Sequence, residues 1–111
     1  MSDGAKVSCA SIRVKKVVAV NNRQPSLGGG GDRSYVIVEA DVGNPGVSLS
    51  LRNAGGTGSL VLDLVGTQAP GLHQQVITER KARIGLDAHH DSVTVRCDGD
   101  EVGDARFQDV H

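Results

Sequence analysis

The alternation of apolar and polar side chains constrains this chain more than any other feature. In the run 34–42, Val36, Val38, Ala40 and Val42 occupy every second position. A β-strand with one buried face needs this period, because successive side chains point to opposite sides of the sheet. The run is therefore predicted to be a strand.

Other runs show the same period with small departures. In one of them Arg80 interrupts the inward face, which predicts either a bulge or a sheet edge at that residue. The β-branched run 6–20 is predicted to be one long or bent strand whose first half carries Cys9. The remaining strands are predicted within 47–52, 60–65, 76–86 and 92–97.

Turn-forming residues separate these runs. Asn44-Pro45-Gly46 and Ala69-Pro70-Gly71 each place Pro second and Gly third, as in a type II turn. Short strands at regular spacing predict an all-β fold, an antiparallel β-sandwich of immunoglobulin-like or jelly-roll-like type with about seven strands. At 111 residues we expect a single domain over 1–111, with a flexible Gly-rich loop at 21–33.

Composition argues against several classes of ligand. Twelve Lys and Arg balance thirteen Asp and Glu, so no net positive field favours nucleic acid. Tyr35 and Phe107 are the chain's two aromatic residues apart from histidine, too few for a base-stacking surface. No apolar run reaches the roughly 18 residues that span a bilayer, so we predict no membrane insertion.

The two cysteines, Cys9 and Cys97, lie near opposite ends of the chain. Their separation is far from the short spacings of zinc or redox sites. Two readings stay open, a pair of buried free thiols or a disulfide. A disulfide closing so long a loop stabilises by up to ~4–5 kcal/mol in the chain-entropy model. It would also favour a secreted or cell-surface protein, whereas the compartment is otherwise undetermined.

The acidic stretch 98–109 resembles part of a calcium-binding loop. EF-hand loops supply oxygen ligands at positions one, three, five, seven and twelve and have Gly at position six. Val102 stands at position five, so the match is partial, and a charged turn followed by a C-terminal strand is the alternative. The matching positions are Asp98, Asp100, Gly103, Asp104 and Asp109.

Histidines offer a second metal candidate. His89 and His90 are adjacent within the run 87–91, which reads as a hairpin turn. Adjacent side chains diverge in extended backbone, so a zinc site needs further ligands such as His73 or Asp91. No serine or cysteine is placed by spacing beside an oriented base, and we predict that the chain is not an enzyme.

The glycine run Gly28, Gly29, Gly30 and Gly31 does not match a phosphate-binding loop. Such a loop ends in Lys-Ser or Lys-Thr at the start of a helix, whereas here the run leads into a predicted strand. We treat the four glycines as a candidate contact loop for a partner protein.

Three segments together resemble small bacterial immunoglobulin-like or CARDB-like domains. They are Ser34–Val42, the segment 51–62 with its Arg-Asn-x-Gly sequence, and the Val-Thr-Val strand within Ser92–Cys97. The three segments together cover 27 of the 111 residues. It implies a β-sandwich that serves as an adhesive or spacer module, and it implies no catalysis.

From these observations we expect a non-enzymatic binding or accessory domain whose loops or strand edges contact another protein or a second copy. Four apolar residues fall on faces that should be polar and could belong to a self-association surface. They are Ile37, Val61, Val65 and Ile77. The alternative is a module that binds calcium or another metal through 98–109, and no other cofactor is expected.

Overall fold

Two β-sheets pack face to face in the computed structural model, which describes residues 5–22, 33–56 and 59–110. Within these residues there are nine strands, one short 3₁₀ helix and no α-helix, which confirms the all-β prediction. The first and last strands have only two and three residues. The elements are β1 (Ala5–Lys6), the 3₁₀ helix (Cys9–Ser11), β2 (Arg13–Asn22), β3 (Ser34–Val42), β4 (Val47–Gly55), β5 (Ser59–Gln68), β6 (Thr78–Leu86), β7 (Ser92–Cys97), β8 (Asp100–Arg106) and β9 (Gln108–Val110).

One sheet contains five strands and the other four. In the first, β5 pairs with β4 along one edge and with β7 and β1 along the other, and β8 pairs with β7. The second sheet has the order β6, β3, β2, β9.

Both sheets are mixed rather than purely antiparallel. Five of the seven pairings between described strands are antiparallel, whereas β2 with β9 and β5 with β7 are parallel. The chain leaves the first sheet after β5, forms β6 in the second sheet and returns as β7, which is the crossover that parallel neighbours require. The antiparallel part of the prediction therefore applies to most pairings but not to all.

The alternating side chains of both sheets meet in one aliphatic core. β3 buries every second residue, and its register places these residues opposite the inward residues of β2 and β6. Burying a Val or Leu side chain contributes about 1.5–3 kcal/mol each. The central core residues are Val36, Val38, Ala40, Leu60, Leu62, Leu64, Val93, Val95 and Cys97.

The N-terminal run does not form the single strand that its sequence predicts. β1 ends at Lys6, the 3₁₀ helix carries Cys9, and β2 begins at Arg13. Within β2 the register with β3 shifts between Val14 and Lys16, so Lys15 is an extra, bulged residue. Because of this extra residue, the inward-facing positions of β2 change from even-numbered to odd-numbered residues. Val14 before the bulge and Val17 after it therefore both pack against the core.

Arg80 lies on the inward side of β6, opposite Ala40 of β3. Of the two alternatives in the sequence prediction, the sheet edge is confirmed, since β6 is the outermost strand and its register with β3 has no shift. The Arg80 Nε and Nη2 atoms donate hydrogen bonds to the carbonyls of Val47 and Pro45, at 3.1 and 2.8 Å. Arg80 thus joins the outer strand of one sheet to that of the other.

The two Pro-Gly turns have different geometries. Gly71 has φ +106°, as the third residue of a type II turn requires. Gly46 does not have the positive φ that this turn type needs, so the prediction is wrong there. The side chain of Asn44 accepts the N–H of Gly46 at 2.9 Å, and the Asn44 carbonyl accepts the N–H of Val47 at 3.3 Å. These bonds fit a type I turn.

Residues 87–91 are also placed differently from the prediction. They connect β6 in one sheet to β7 in the other, so they form a crossover between sheets and not a hairpin turn. The predicted loop 21–33 begins later than expected, because Asn21 and Asn22 still belong to β2. None of the described segments forms a helix long and apolar enough to cross a membrane.

Candidate functional site

The acidic stretch that resembles a calcium loop begins with a tight hairpin. Asp98 and Gly99 connect β7 to β8 with φ values of 53° and 87°, the left-handed pair that a two-residue type I′ turn requires. The Asp98 carboxylate is 2.5 Å from the ammonium of Lys6 and 3.2 Å from Sγ of Cys9. Because a disulfide sulfur carries no proton, the second approach is a contact and not a hydrogen bond.

The remaining acids of this stretch lie along extended backbone. Asp100 and Asp104 are both on β8, four residues and therefore roughly 13 Å apart along the strand. Asp109 is on β9, where one of its carboxylate oxygens accepts a hydrogen bond from the Asn21 amide at 3.1 Å. Among the described residues, no three His, Cys, Asp or Glu side chains form a group suited to a metal ion. The structure therefore does not gather the predicted calcium ligands.

His89 and His90 have separate surroundings. His89 Nε2 lies 3.0 Å from the carbonyl oxygen of Asn22. The ring of His90 lies 5.7 Å from that of Phe107, and its Nδ1 atom is buried without a hydrogen-bond partner in the described part of the chain. The two rings do not form the pair that the second metal hypothesis requires.

Buried polar side chains hold the 87–91 crossover in place. The Asn21 side chain donates to the His90 carbonyl at 2.8 Å and accepts its N–H at 3.1 Å. The Ser34 hydroxyl, which is fully buried, donates to the Ala88 carbonyl at 2.6 Å. These bonds satisfy peptide groups that would otherwise be costly to bury, so the cluster has a structural role.

Cys9 and Cys97 form a disulfide, with their Cα atoms 5.8 Å apart. Of the two readings of the sequence, the bonded one is thus confirmed. Cys97 is buried on β7, whereas Cys9 lies in the 3₁₀ helix, so the bond fastens the N-terminal segment to the five-stranded sheet. The candidate contact loop, Gly28 to Gly31, lies outside the described residues.

Two neighbouring connections at one end of the sandwich contain no charged residue. We call residues 43–46 and 69–77 the uncharged end: they are the turn between β3 and β4 and the connection between β5 and β6. Neither the four residues of the first segment nor the nine of the second include Asp, Glu, Lys or Arg. Arg80, at the start of β6, directs its guanidinium to two carbonyls near this end.

Side-chain contacts join the two segments of the uncharged end. The Asn44 side chain exchanges hydrogen bonds with that of Gln68, at 2.8 and 3.0 Å. His73 Nε2 lies 3.1 Å from the Ala69 carbonyl oxygen. The His73 ring packs so tightly on Gly46 that a Cβ at that glycine would lie 2.5 Å from Nε2. These contacts fix the start of the longer segment on the scaffold.

Three large apolar side chains of the longer segment face solvent. Leu72 is fully exposed at 104%, Ile77 at 74% and Val76 at 47%. The sequence pattern singles out Ile77, but it assigns Val76 to a strand and does not identify Leu72. The available signal was the position of Leu72 directly after the Ala69-Pro70-Gly71 turn, where alternation no longer specifies an inward side.

The outer face of the five-stranded sheet has the opposite character. The strand registers place Arg52, Asp63, Arg96 and Glu101 in one row across four neighbouring strands. Opposite charges on adjacent strands attract weakly and remain solvated. Val61 and Val65 lie on the same side of β5 as Asp63 and are partly exposed, so this face combines a charged row with two apolar residues.

The outermost strands carry features that oppose pairing with another sheet. β4 and β8 each contain a register irregularity, and β6 carries the inward-pointing Arg80. At the β2 bulge, Lys15 contacts the carboxylates of Glu79 at 2.6 Å and Asp41 at 3.2 Å. These two acids raise the pKa of Lys15, and the hydrogen bond from Lys15 lowers the pKa of Glu79.

Comparisons of the chain with protein-family models, with curated proteins and with solved structures each returned no match.

Proposed function

We propose that this chain is a non-enzymatic binding domain that contacts a partner protein through the uncharged end. The observation that carries the proposal is the exposure of Leu72, Val76 and Ile77 on a connection without charged residues. These three large apolar side chains lie within six consecutive residues, and exposed apolar surface of this kind is typical of interaction sites when it is contiguous. Contacts of Asn44 and His73 position the connection, which lowers the ordering cost of binding.

The chemistry of this end favours protein over other partners. Charged residues are depleted at the centre of protein interfaces, where apolar side chains are desolvated. Nucleic acid and anionic lipid surfaces instead attract Lys and Arg, which these two segments lack. Gln74 and Gln75 lie between the apolar residues and supply hydrogen-bonding groups.

Contact through loops is favoured over contact through strand edges. The bulges in the outer strands β4 and β8 and the inward Arg80 of β6 are features that natural sheets use against edge-to-edge association. The uncharged end has no comparable protection. Of the two surfaces that the sequence suggested, we therefore choose the loops.

The proposal includes an exported location and an immunoglobulin-like type of sandwich. A disulfide persists in oxidising compartments, so the Cys9–Cys97 bond supports a secreted or surface setting. The two packed sheets and the loops at their ends support the immunoglobulin-like assignment. The parallel pairs of this chain, and a disulfide that joins the 3₁₀ helix to β7 instead of joining the two sheets, distinguish it from antibody domains.

Site-specific photocrosslinking in the source cells tests the proposal. A benzophenone side chain replaces Leu72 in one variant and Ser50, on the outer face of β4, in the control. We expect a discrete adduct from position 72 and none from position 50. Mass spectrometry of the adduct separates a second copy of the chain from a different protein.

The proposal fails if position 72 yields no protein adduct, or if position 50 yields the same adducts in the same amounts. Crosslinking to lipid alone would also contradict it, because the uncharged end would then contact a membrane.

A further inference from the structure

The edge of β2 that faces away from β3 is only partly covered. β9 pairs with Val20, Asn21 and Asn22 in parallel register, and no described strand pairs with the same edge before Val20. The preceding residues of β2 therefore form an open edge that continues the line of β9.

The hydrogen bonds of β2 show which backbone groups this edge presents. The N–H of Asn22 donates to the Arg33 carbonyl at 2.8 Å, on the β3 side. In an antiparallel pair, successive residues direct their N–H and C=O groups alternately to the two sides. Val17, Ala19 and Asn21 therefore direct theirs away from β3. Asn21 meets β9, and the parallel pair of Val20 with Gln108 also occupies the carbonyl of Ala19, whereas no described strand forms a pair with Val17.

A groove of about 460 Å³ lies beside this open edge. Val17 and Ala19 of β2 and Ala105 of β8 contribute apolar surface, while Lys16 and Arg106 contribute positive charge. Val18 and Gln108 complete the lining, which includes no carboxylate. A volume of this size is within the range of small-ligand sites.

Glycine and the bulge limit the length of the groove. A Cβ at Gly103 of β8 would lie 2.9 Å from Cγ2 of Val17, so the glycine lets the two strands approach closely there. The bulge at Lys15 interrupts the regular edge on one side, and β9 occupies it on the other. The regular part of the edge is thus only Lys16 to Ala19, too short for open-ended sheet growth.

We propose that this groove binds a short extended peptide that bears a carboxylate and adds to the edge of β2. Backbone pairing with Val17 and with the N–H of Ala19 supplies the register, as in other cases of strand addition. Lys16 and Arg106 supply charge complementarity to the carboxylate. The site is independent of the uncharged end, and the two proposals can fail separately.

Nuclear magnetic resonance titration of the folded, disulfide-bonded protein tests this site. The probes are four-residue Thr-Val repeats in three forms: a free C-terminal carboxylate, a C-terminal amide, and an amide with an internal Glu. We expect the amide signals of Val17 and Ala19 to shift and their hydrogen exchange to slow. Binding by the first form alone assigns the carboxylate to a C-terminus, and binding by the third assigns it to an acidic side chain.

Charge variants and a modified peptide provide the controls. The Lys16→Gln, Arg106→Gln double variant should weaken binding by about fivefold or more, whereas Lys81→Gln on β6 should not change it. N-methylation of the central peptide nitrogens should abolish binding, because a methylated nitrogen cannot donate. The proposal is overturned if Val17 and Ala19 do not respond to either carboxylate peptide, if all peptides bind equally, or if the methylated peptide binds unchanged.

Discussion

The outer face of the five-stranded sheet and the uncharged end are both exposed to solvent, but their side chains differ. The sheet face presents alternating charges from Arg52 to Glu101, each at a position that strand alternation directs outward. The uncharged end presents Leu72, Val76 and Ile77, which no strand period directs to either side. Folding therefore explains the polarity of the first surface but not the apolarity of the second, which points to a role in contact.

Removal of the disulfide should have the largest effect on the unfolding free energy. The Cys9→Ala, Cys97→Ala double variant is expected to lose up to ~4–5 kcal/mol of unfolding free energy, because the unfolded chain regains the entropy of a long closed loop. Denaturant unfolding with and without reductant measures the loss. Reductant should destabilise the wild type and leave the double variant unchanged. A loss below about 1 kcal/mol would contradict the structural role that we assign to this bond.

A matched pair of leucines compares core and contact surface directly. Leu62 is fully buried, and Leu62→Ala should lower the unfolding free energy by about 2–5 kcal/mol through lost burial and a residual cavity. Leu72→Ala makes the same chemical change at a fully exposed position. It should alter the unfolding free energy by no more than about 0.5 kcal/mol. Urea unfolding of the two variants checks both values. Equal losses would show that Leu72 is part of the fold.

The buried polar cluster should have an intermediate effect. Asn21→Ala removes the bonds to both peptide groups of His90 and the bond to Asp109, and should cost about 1–3 kcal/mol because these part-buried polar groups lose their partner. Asn53→Ala is the control, since the Asn53 side chain accepts one exposed bond from Gly55. If thermal or denaturant unfolding gave the two variants the same stability, the cluster would not anchor the 87–91 crossover.

The ion pair at the β2 bulge should have the smallest effect on stability. The direction of its pH dependence follows from the pKa shift. Lys15 lowers the pKa of Glu79 below its ordinary value of 4.5, so the contribution of this carboxylate is fully present above that pH. It is lost as the pH falls through the lowered pKa of the folded state. Stability measured from pH 7 to pH 3 should therefore decline less for Glu79→Gln than for the wild type. An identical pH dependence of the two proteins would show that the Lys15–Glu79 ion pair does not contribute to stability.

Much of the strand content could be predicted because alternation reports which side of a strand is buried. The bounds of β3 and β7 agree with the predicted runs 34–42 and 92–97. The parallel pairing of β5 with β7 could not be predicted in this way, because the pattern contains no information about the neighbouring strand. The Lys15 bulge could not be predicted either, because a single extra residue cannot be distinguished from a break in the alternation of apolar and polar residues.

The candidate contact surface was predictable only in part. Ile77 stood out because it appeared on a face that should be polar, whereas Leu72 follows a turn, and turn-forming residues predict a change of direction without specifying exposure. The acidic stretch 98–109 shows the opposite problem. Its spacing matches ligand positions only when the backbone coils around an ion, and here Asp100 and Asp104 lie along a strand.

The most direct test of the central claim is the photocrosslinking yield from position 75 in a Leu72→Ser, Ile77→Ser background. Gln75 lies between the substituted residues, so a benzophenone side chain there reports the same surface without replacing an apolar anchor. We predict that the double substitution abolishes the protein adduct while the unfolding free energy stays within about 1 kcal/mol of the unsubstituted protein. An adduct of undiminished yield would contradict the account, because the exposed apolar side chains would then not make the contact.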